Sequence, residues 1–110
     1  MKKMNSKISL DIELDKNRVP KNIQWSAPDG GVEKSKADAF MLSVWDGKTQ
    51  DTLKIDLWTK DMLVDDMKKF YHQTLLSMAD SFKRSTNEDE ISEDIRDFAK
   101  YFAEKLNLIG

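Results

Sequence analysis

From Ile8 to Asp15 the chain alternates. Ile8, Leu10, Ile12 and Leu14 fall on one side, and Ser9, Asp11, Glu13 and Asp15 on the other. A period of two predicts a half-buried strand with one acidic, solvated face. Asp15-Lys16-Asn17 carries turn chemistry, and Val19-Pro20 forces an extended connection. Asn22 to Ala27, with Ile23 and Trp25 on one side, reads as a second strand, so the first two form a hairpin. Pro28-Asp29-Gly30-Gly31 then breaks the chain. Val32 to Ala37 has no decisive period and admits a helical turn.

A third strand is predicted from Ala39 to Trp45. Phe40, Leu42 and Val44 share one face, and Met41, Ser43 and Trp45 the other. Both faces are largely apolar, as in an interior strand or one whose second face meets a partner. The fourth strand, Thr52 to Trp58, points Leu53, Ile55 and Leu57 inward and Lys54, Asp56 and Trp58 outward. A type II′ turn centred on Gly47-Lys48 pairs Leu42 with Leu53 and Phe40 with Ile55, and this is the preferred register. A type I′ turn on Asp46-Gly47 would set Leu42 opposite Asp51, whereas a slip of two residues the other way also preserves the faces.

After Trp58 the period changes. Met67, Phe70, Tyr71, Thr74, Leu75, Met78, Ala79 and Phe82 recur at spacings of three and four, which predicts a helix from Val64 to Arg84. Asp61, Asp65 and Asp66 near its start and Lys83-Arg84 near its end suit the helix dipole. Ser85-Thr86-Asn87 should end it, with Asn87 as N-cap of a second helix and Glu90 as its partner three residues on. That helix carries Ile91, Ile95, Phe98, Phe102, Leu106 and Ile109 on one stripe, and the short link makes the two helices antiparallel. The expected class is α+β, ordered ββββαα: a four-stranded antiparallel sheet with two antiparallel helices packed on one face. The chain reads as one domain over residues 1–110, with polar residues 1–6 frayed.

Composition narrows the chemistry. A chain of 110 residues is long enough to bury roughly two-thirds of its unfolded surface in a single core. Its 18 basic and 20 acidic residues are mixed along the chain and leave a net charge of −2, without the sustained basic face that nucleic acid requires. With no cysteine in this sequence, no disulfide, thiolate metal site, cysteine nucleophile or lipoprotein anchor is expected. The start, MKKMNSK, continues into alternating ISLDIELD instead of an apolar run, and no stretch reaches the roughly 18 apolar residues of a membrane span. The expected location is therefore cytoplasmic.

No constellation names a reaction. His72 is the sole histidine, with no second imidazole or thiolate to share a metal, and Asp66 and Asp80 fall off its face. Asp61, Asp65 and Asp66 lack the spacing of a calcium loop and are explained by the helix start. The acidic run from Glu88 to Asp94 reads as another solvated helix start, and Asp29-Gly30-Gly31 lacks the Lys-Ser/Thr of a phosphate loop. No catalytic residue, cofactor or metal site is expected. The notable feature is the outward sheet face, where Trp45, Trp58 and Met41 stand among charged residues. Exposed aromatics grouped on a charged sheet suit a protein interface or a homo-oligomer. The candidate interface is Met41, Trp45, Lys54, Asp56 and Trp58, with Lys54 and Asp56 setting partner choice through charge.

The runs Ala39-Phe40-Met41-Leu42-Ser43-Val44-Trp45-Asp46-Gly47, Leu53-Lys54-Ile55-Asp56-Leu57-Trp58-Thr59-Lys60-Asp61-Met62, His72-Gln73-Thr74-Leu75 and Ser77-Met78-Ala79-Asp80 resemble the gliding motility-associated GldC proteins of the Bacteroidetes lineage. Val19-Pro20, Asp29-Gly30-Gly31, Asp97-Phe98 and Tyr101-Phe102-Ala103-Glu104-Lys105-Leu106 extend the similarity. One departure is Leu63, where a proline is expected in relatives. The resemblance implies a small accessory protein of the gliding or secretion apparatus and no catalytic residues. The expectation is a non-enzymatic adaptor acting by protein contacts. The alternative is a holder of export-bound chains similar to the SecB chaperone, on fold analogy alone.

Overall fold

The computed structural model describes residues 4–108. Two compact units divide the chain, Met1–Met62 and Leu63–Gly110. The first is all strand and turn, and the second is a helical hairpin.

Five strands form, not four. They are β1 (Ser9–Leu14), β2 (Pro20–Ala27), β3 (Val32–Ala37), β4 (Ala39–Asp46) and β5 (Asp51–Trp58). They make a three-stranded sheet in the order β1-β2-β3 and a two-stranded ribbon of β4 and β5, so the single four-stranded sheet is corrected. The β1–β2 hairpin stands as expected, with Leu10 opposite Trp25 and Ile12 opposite Ile23. Segment 32–37 is strand, and the helical turn lies just before it, a 3-10 turn at Pro28–Gly30 closed by Gly31 at φ 78°. Pairing supplies what β3 lacks in pattern: Ala37 lies opposite Ile23 and Ser35 opposite Trp25. A bulge interrupts that pairing, where Lys34 at φ 46° donates its backbone N–H to the Ser26 hydroxyl at 2.9 Å. Ile23 is wholly buried.

β3 runs into β4 with only Asp38 between them. There the Thr59 N–H donates to the Asp38 carbonyl at 2.8 Å, and the Lys60 N–H donates to the Pro20 carbonyl at 3.1 Å. The end of β5 therefore abuts the start of β2. In the ribbon Leu42 faces Ile55 and Phe40 faces Leu57, two residues from the preferred register, in the slip that also preserves the faces. The reason lies in the turn. Gly47 does not take the positive φ a type II′ turn needs, and Gln50 holds the left-handed position at φ 60°. Asp46 holds three residues of the four-residue loop: its Oδ1 accepts from the N–H groups of Lys48 and Thr49 at 2.9 and 3.3 Å, and its carbonyl accepts from Gln50.

The helices are α1 (Val64–Thr86) and α2 (Asp89–Lys105). Asn87 is not the N-cap of α2. It is the left-handed C-cap of α1 at φ 60°, donating its N–H to the Lys83 carbonyl at 2.8 Å. Glu88 occupies the N-cap of α2 without a side-chain bond. The Arg96–Asp80 ion pair and the two-residue link define an antiparallel hairpin. Its seam consists of small residues: Ala79, Ser92, Ala99 and Ala103 are buried. The Ser92 hydroxyl donates to the Glu88 carbonyl at 2.8 Å. The predicted large stripe lies beside this seam, leaving Met78, Ile91 and Phe98 about half exposed. Ile109 falls outside the described residues, as do the first three of the six terminal residues expected to fray.

Candidate protein-interaction site

Alternation along paired strands gives the ribbon two faces. One bears Ala39, Met41, Ser43 and Trp45 beside Trp58, Asp56, Lys54 and Thr52, so all five candidate residues share it. Trp45 is 61% and Trp58 54% exposed, and Met41 is half-buried beside Asp56. The tryptophans do not form one aromatic cluster. Trp45 pairs with Thr52 by the turn, whereas Trp58 pairs with Ala39 at the far end, about 20 Å away along the strand. Between them the Lys54 ammonium donates to Asp56, at 2.6 Å to Oδ1. This face has two aromatic ends and a charged centre.

The opposite face was read as inward. Phe40, Leu42 and Val44 stand beside Leu57, Ile55 and Leu53, a contiguous apolar strip bounded by Asp46 and Asp51. Leu42, Val44, Leu53 and Ile55 are 39%, 48%, 60% and 52% exposed. The larger apolar surface of the ribbon is this strip.

Trp58 also borders a groove that the strand pattern gave no reason to expect. Arg18, Val19 and Pro20 meet Asp56, Leu57, Trp58 and Lys60 around a volume of about 270 Å³. The β1–β2 turn holds the far wall. Asp15 Oδ1 accepts from the Asn17 and Val19 N–H groups at 2.8 and 3.1 Å, and Lys60 Nζ lies 3.4 Å from Oδ2. The Val19 N–H foremost, with the Asn17 N–H and the Lys60 ammonium, holds the Asp15 carboxyl below its ordinary range against partial desolvation. Glu13 is also lowered, by bonds from Lys21 and then Asn22. The one hint in the sequence was Val19-Pro20, whose extended backbone lies along the end of β5.

His72 is half-buried on α1, and Asp61, Asp65 and Asp66 are exposed. Among the described residues, no three acidic or imidazole side chains converge on a position where an ion could sit. No helix among them is long and apolar enough to cross a membrane. The ribbon leaves both of its faces largely open to solvent.

Comparison with family models is more specific. The model of the gliding motility-associated protein GldC-like family matches residues 20–108, and the chain belongs to that family. Its description names an association with motility and no reaction. Curated proteins and solved structures gave no match.

Proposed function

We propose that this protein is a non-enzymatic, cytoplasmic accessory of the gliding machinery that acts by protein contacts through the tryptophan face of its β4–β5 ribbon. The observation that carries the reading is the placement of Trp45 and Trp58 on one face with more than half of each side chain exposed. Large, rigid aromatic side chains supply much of the energy at protein interfaces, and charge sets partner choice. Trp45, Met41 and Trp58 act as anchors, with Lys54 and Asp56 between them. The test is complementation of a gliding bacterium lacking this gene. Alanine at both Trp45 and Trp58 should leave a folded protein and abolish spreading of the cells. Full spreading by that variant, at normal protein level, would remove the face from the function. Fractionation of the same cells tests the location.

A second reading rests on the opposite face. The open strip of Leu42, Val44, Leu53 and Ile55 suits a holder of unfolded or export-bound chains. Such a holder suppresses aggregation of an unfolded client at near-stoichiometric ratio, and serine at Leu53 and Ile55 abolishes the effect. A protein that leaves aggregation unchanged is not a holder.

A further inference from the structure

Strand edges are where one sheet can join another, and proteins usually guard them with charge. Three edge strands here do so: β1 carries Asp11 and Glu13, β3 carries Glu33, Lys34 and Lys36, and β5 carries Lys54 and Asp56. The end of β5 is also engaged by Pro20. β4 differs. From Ala39 to Trp45 it has neither charge nor proline, and its second edge pairs with no strand of the described residues.

The direction of its free backbone groups follows from two bonds. The carbonyls of Asp38 and Asp46 accept from Thr59 and Gln50, on the β5 side. Backbone groups alternate sides along a strand, so even-numbered residues bond toward β5. Ala39, Met41, Ser43 and Trp45 then point their N–H and C=O groups outward from the open edge.

We propose that this edge pairs antiparallel with the same edge of a second copy, about a two-fold axis at Ser43, giving a four-stranded sheet β5-β4-β4-β5. Such an interface is isologous. In this register Ser43 meets its own counterpart, and Met41 lies opposite Trp45 of the second copy, a favourable sulfur–aromatic pairing. Leu42 lies opposite Val44, and Asp38, just before β4, comes toward the β4–β5 turn of the second copy, which carries Lys48, twice over. Moving the axis to Leu42 sets Asp38 against Asp46, like against like. Moving it to Met41 carries the pairing past Asp38, where β3 leaves for the other sheet. The Ser43 axis pairs Phe40 to Asp46 within β4 and turns the Asp38 end toward the Lys48 turn instead of toward Asp46.

Pairing also remedies the ribbon's weakness, since two strands alone are marginal and three or more with an apolar face are stable. It joins the two apolar strips into one continuous face. This proposal is independent of the motility reading and needs neither tryptophan face to meet a partner.

The test combines sedimentation across a concentration series with amide hydrogen exchange of the full chain. The wild type should be a dimer whose Met41, Ser43 and Trp45 amides exchange at least about a hundredfold more slowly than in the monomer. Ser43→Pro removes only an outward N–H, so β4 should still pair with β5 while the dimer is lost. Lys48→Glu and Asp38→Lys should each weaken the dimer about tenfold, and the two together should restore it. These exposed charges keep the test decisive even where the proline variant fails to fold. A wild type that stays monomeric to millimolar concentration overturns the proposal. So does a dimer in which those three amides remain unprotected, because faces and not edges would then be meeting. Charge variants that leave the dimer unchanged also overturn it.

Discussion

The three-stranded sheet and the ribbon are built from similar strands and end up with opposite surfaces. In the sheet, β2 is flanked on both edges, and Ile23 at its centre loses all contact with solvent. In the ribbon each strand has one neighbour, and Leu53 and Ile55, equally apolar, stay more than half exposed. One difference is the number of neighbours: β2 has a strand along each edge, and each ribbon strand has one. The helical hairpin repeats the contrast on adjacent residues: Ala99 is sealed in the seam while Phe98 beside it is 52% exposed. Hydrophobicity and burial are thus poorly matched in this chain.

The sharpest way to break that comparison is to shorten isoleucine in both places. Ile23→Ala should cost about 3 kcal/mol in urea unfolding, and Ile55→Ala about 1 kcal/mol or less. Equal losses would mean the ribbon strip is covered in solution. In the hairpin the order of size should invert. Ala99→Leu should cost about 2 kcal/mol because the seam has no room for a larger side chain. Phe98→Ala should cost about 1 kcal/mol, from partial burial and its contacts with Tyr101 and Phe102 at 6.1 and 6.3 Å between ring centroids. Trp58→Ala should change stability by less than about 1 kcal/mol, whereas Trp25→Ala, opposite Leu10 in the three-stranded sheet, should cost about 3 kcal/mol.

The smallest effect concerns pH. The Asp15 carboxyl titrates lower in the folded chain than in the unfolded one, so it stabilises the fold at every pH above the unfolded value of about 4. That contribution is lost as pH falls through the lower, folded value. Asp15→Asn should therefore flatten the acid limb of a plot of urea midpoint against pH and leave its slope unchanged above about pH 5. An unchanged acid limb would mean that the Val19 and Asn17 bonds do not persist in solution.

Much of this arrangement was legible where side chains alternate or recur at helical spacing. Leu10 with Ile12, Ile23 with Trp25, and the runs of β4 and β5 took the shared faces that parity gave them, whereas Ile8 lies outside β1 and Leu14 past a shift in its register. Val32 to Ala37 declared nothing, because an edge strand rich in Lys and Glu takes its conformation from its neighbour. The ribbon register was missed by two residues because Gly47 drew attention as the flexible position, while Asp46 set the turn and Gln50 took the left-handed backbone. Asn87, read as starting a helix, ends one, since a short polar side chain suits either role. Of the seam only Ala79 fell on the predicted stripe; Ser92, Ala99 and Ala103 escape a search for large apolar residues. For the candidate interface, parity alone put Trp45, Trp58, Met41, Lys54 and Asp56 on one face. Their separation along the ribbon depended on the pairing.

The small-residue seam has a calorimetric consequence. Unfolding raises heat capacity in proportion to the apolar surface newly exposed to water. Among the described residues the wholly buried apolar side chains are Ile23 and three alanines, Ala79, Ala99 and Ala103, which hide little such surface. The isolated chain should therefore show a smaller heat-capacity change and a flatter stability curve than its length alone suggests. Covering the open strip should add a further negative heat-capacity change, read calorimetrically on association.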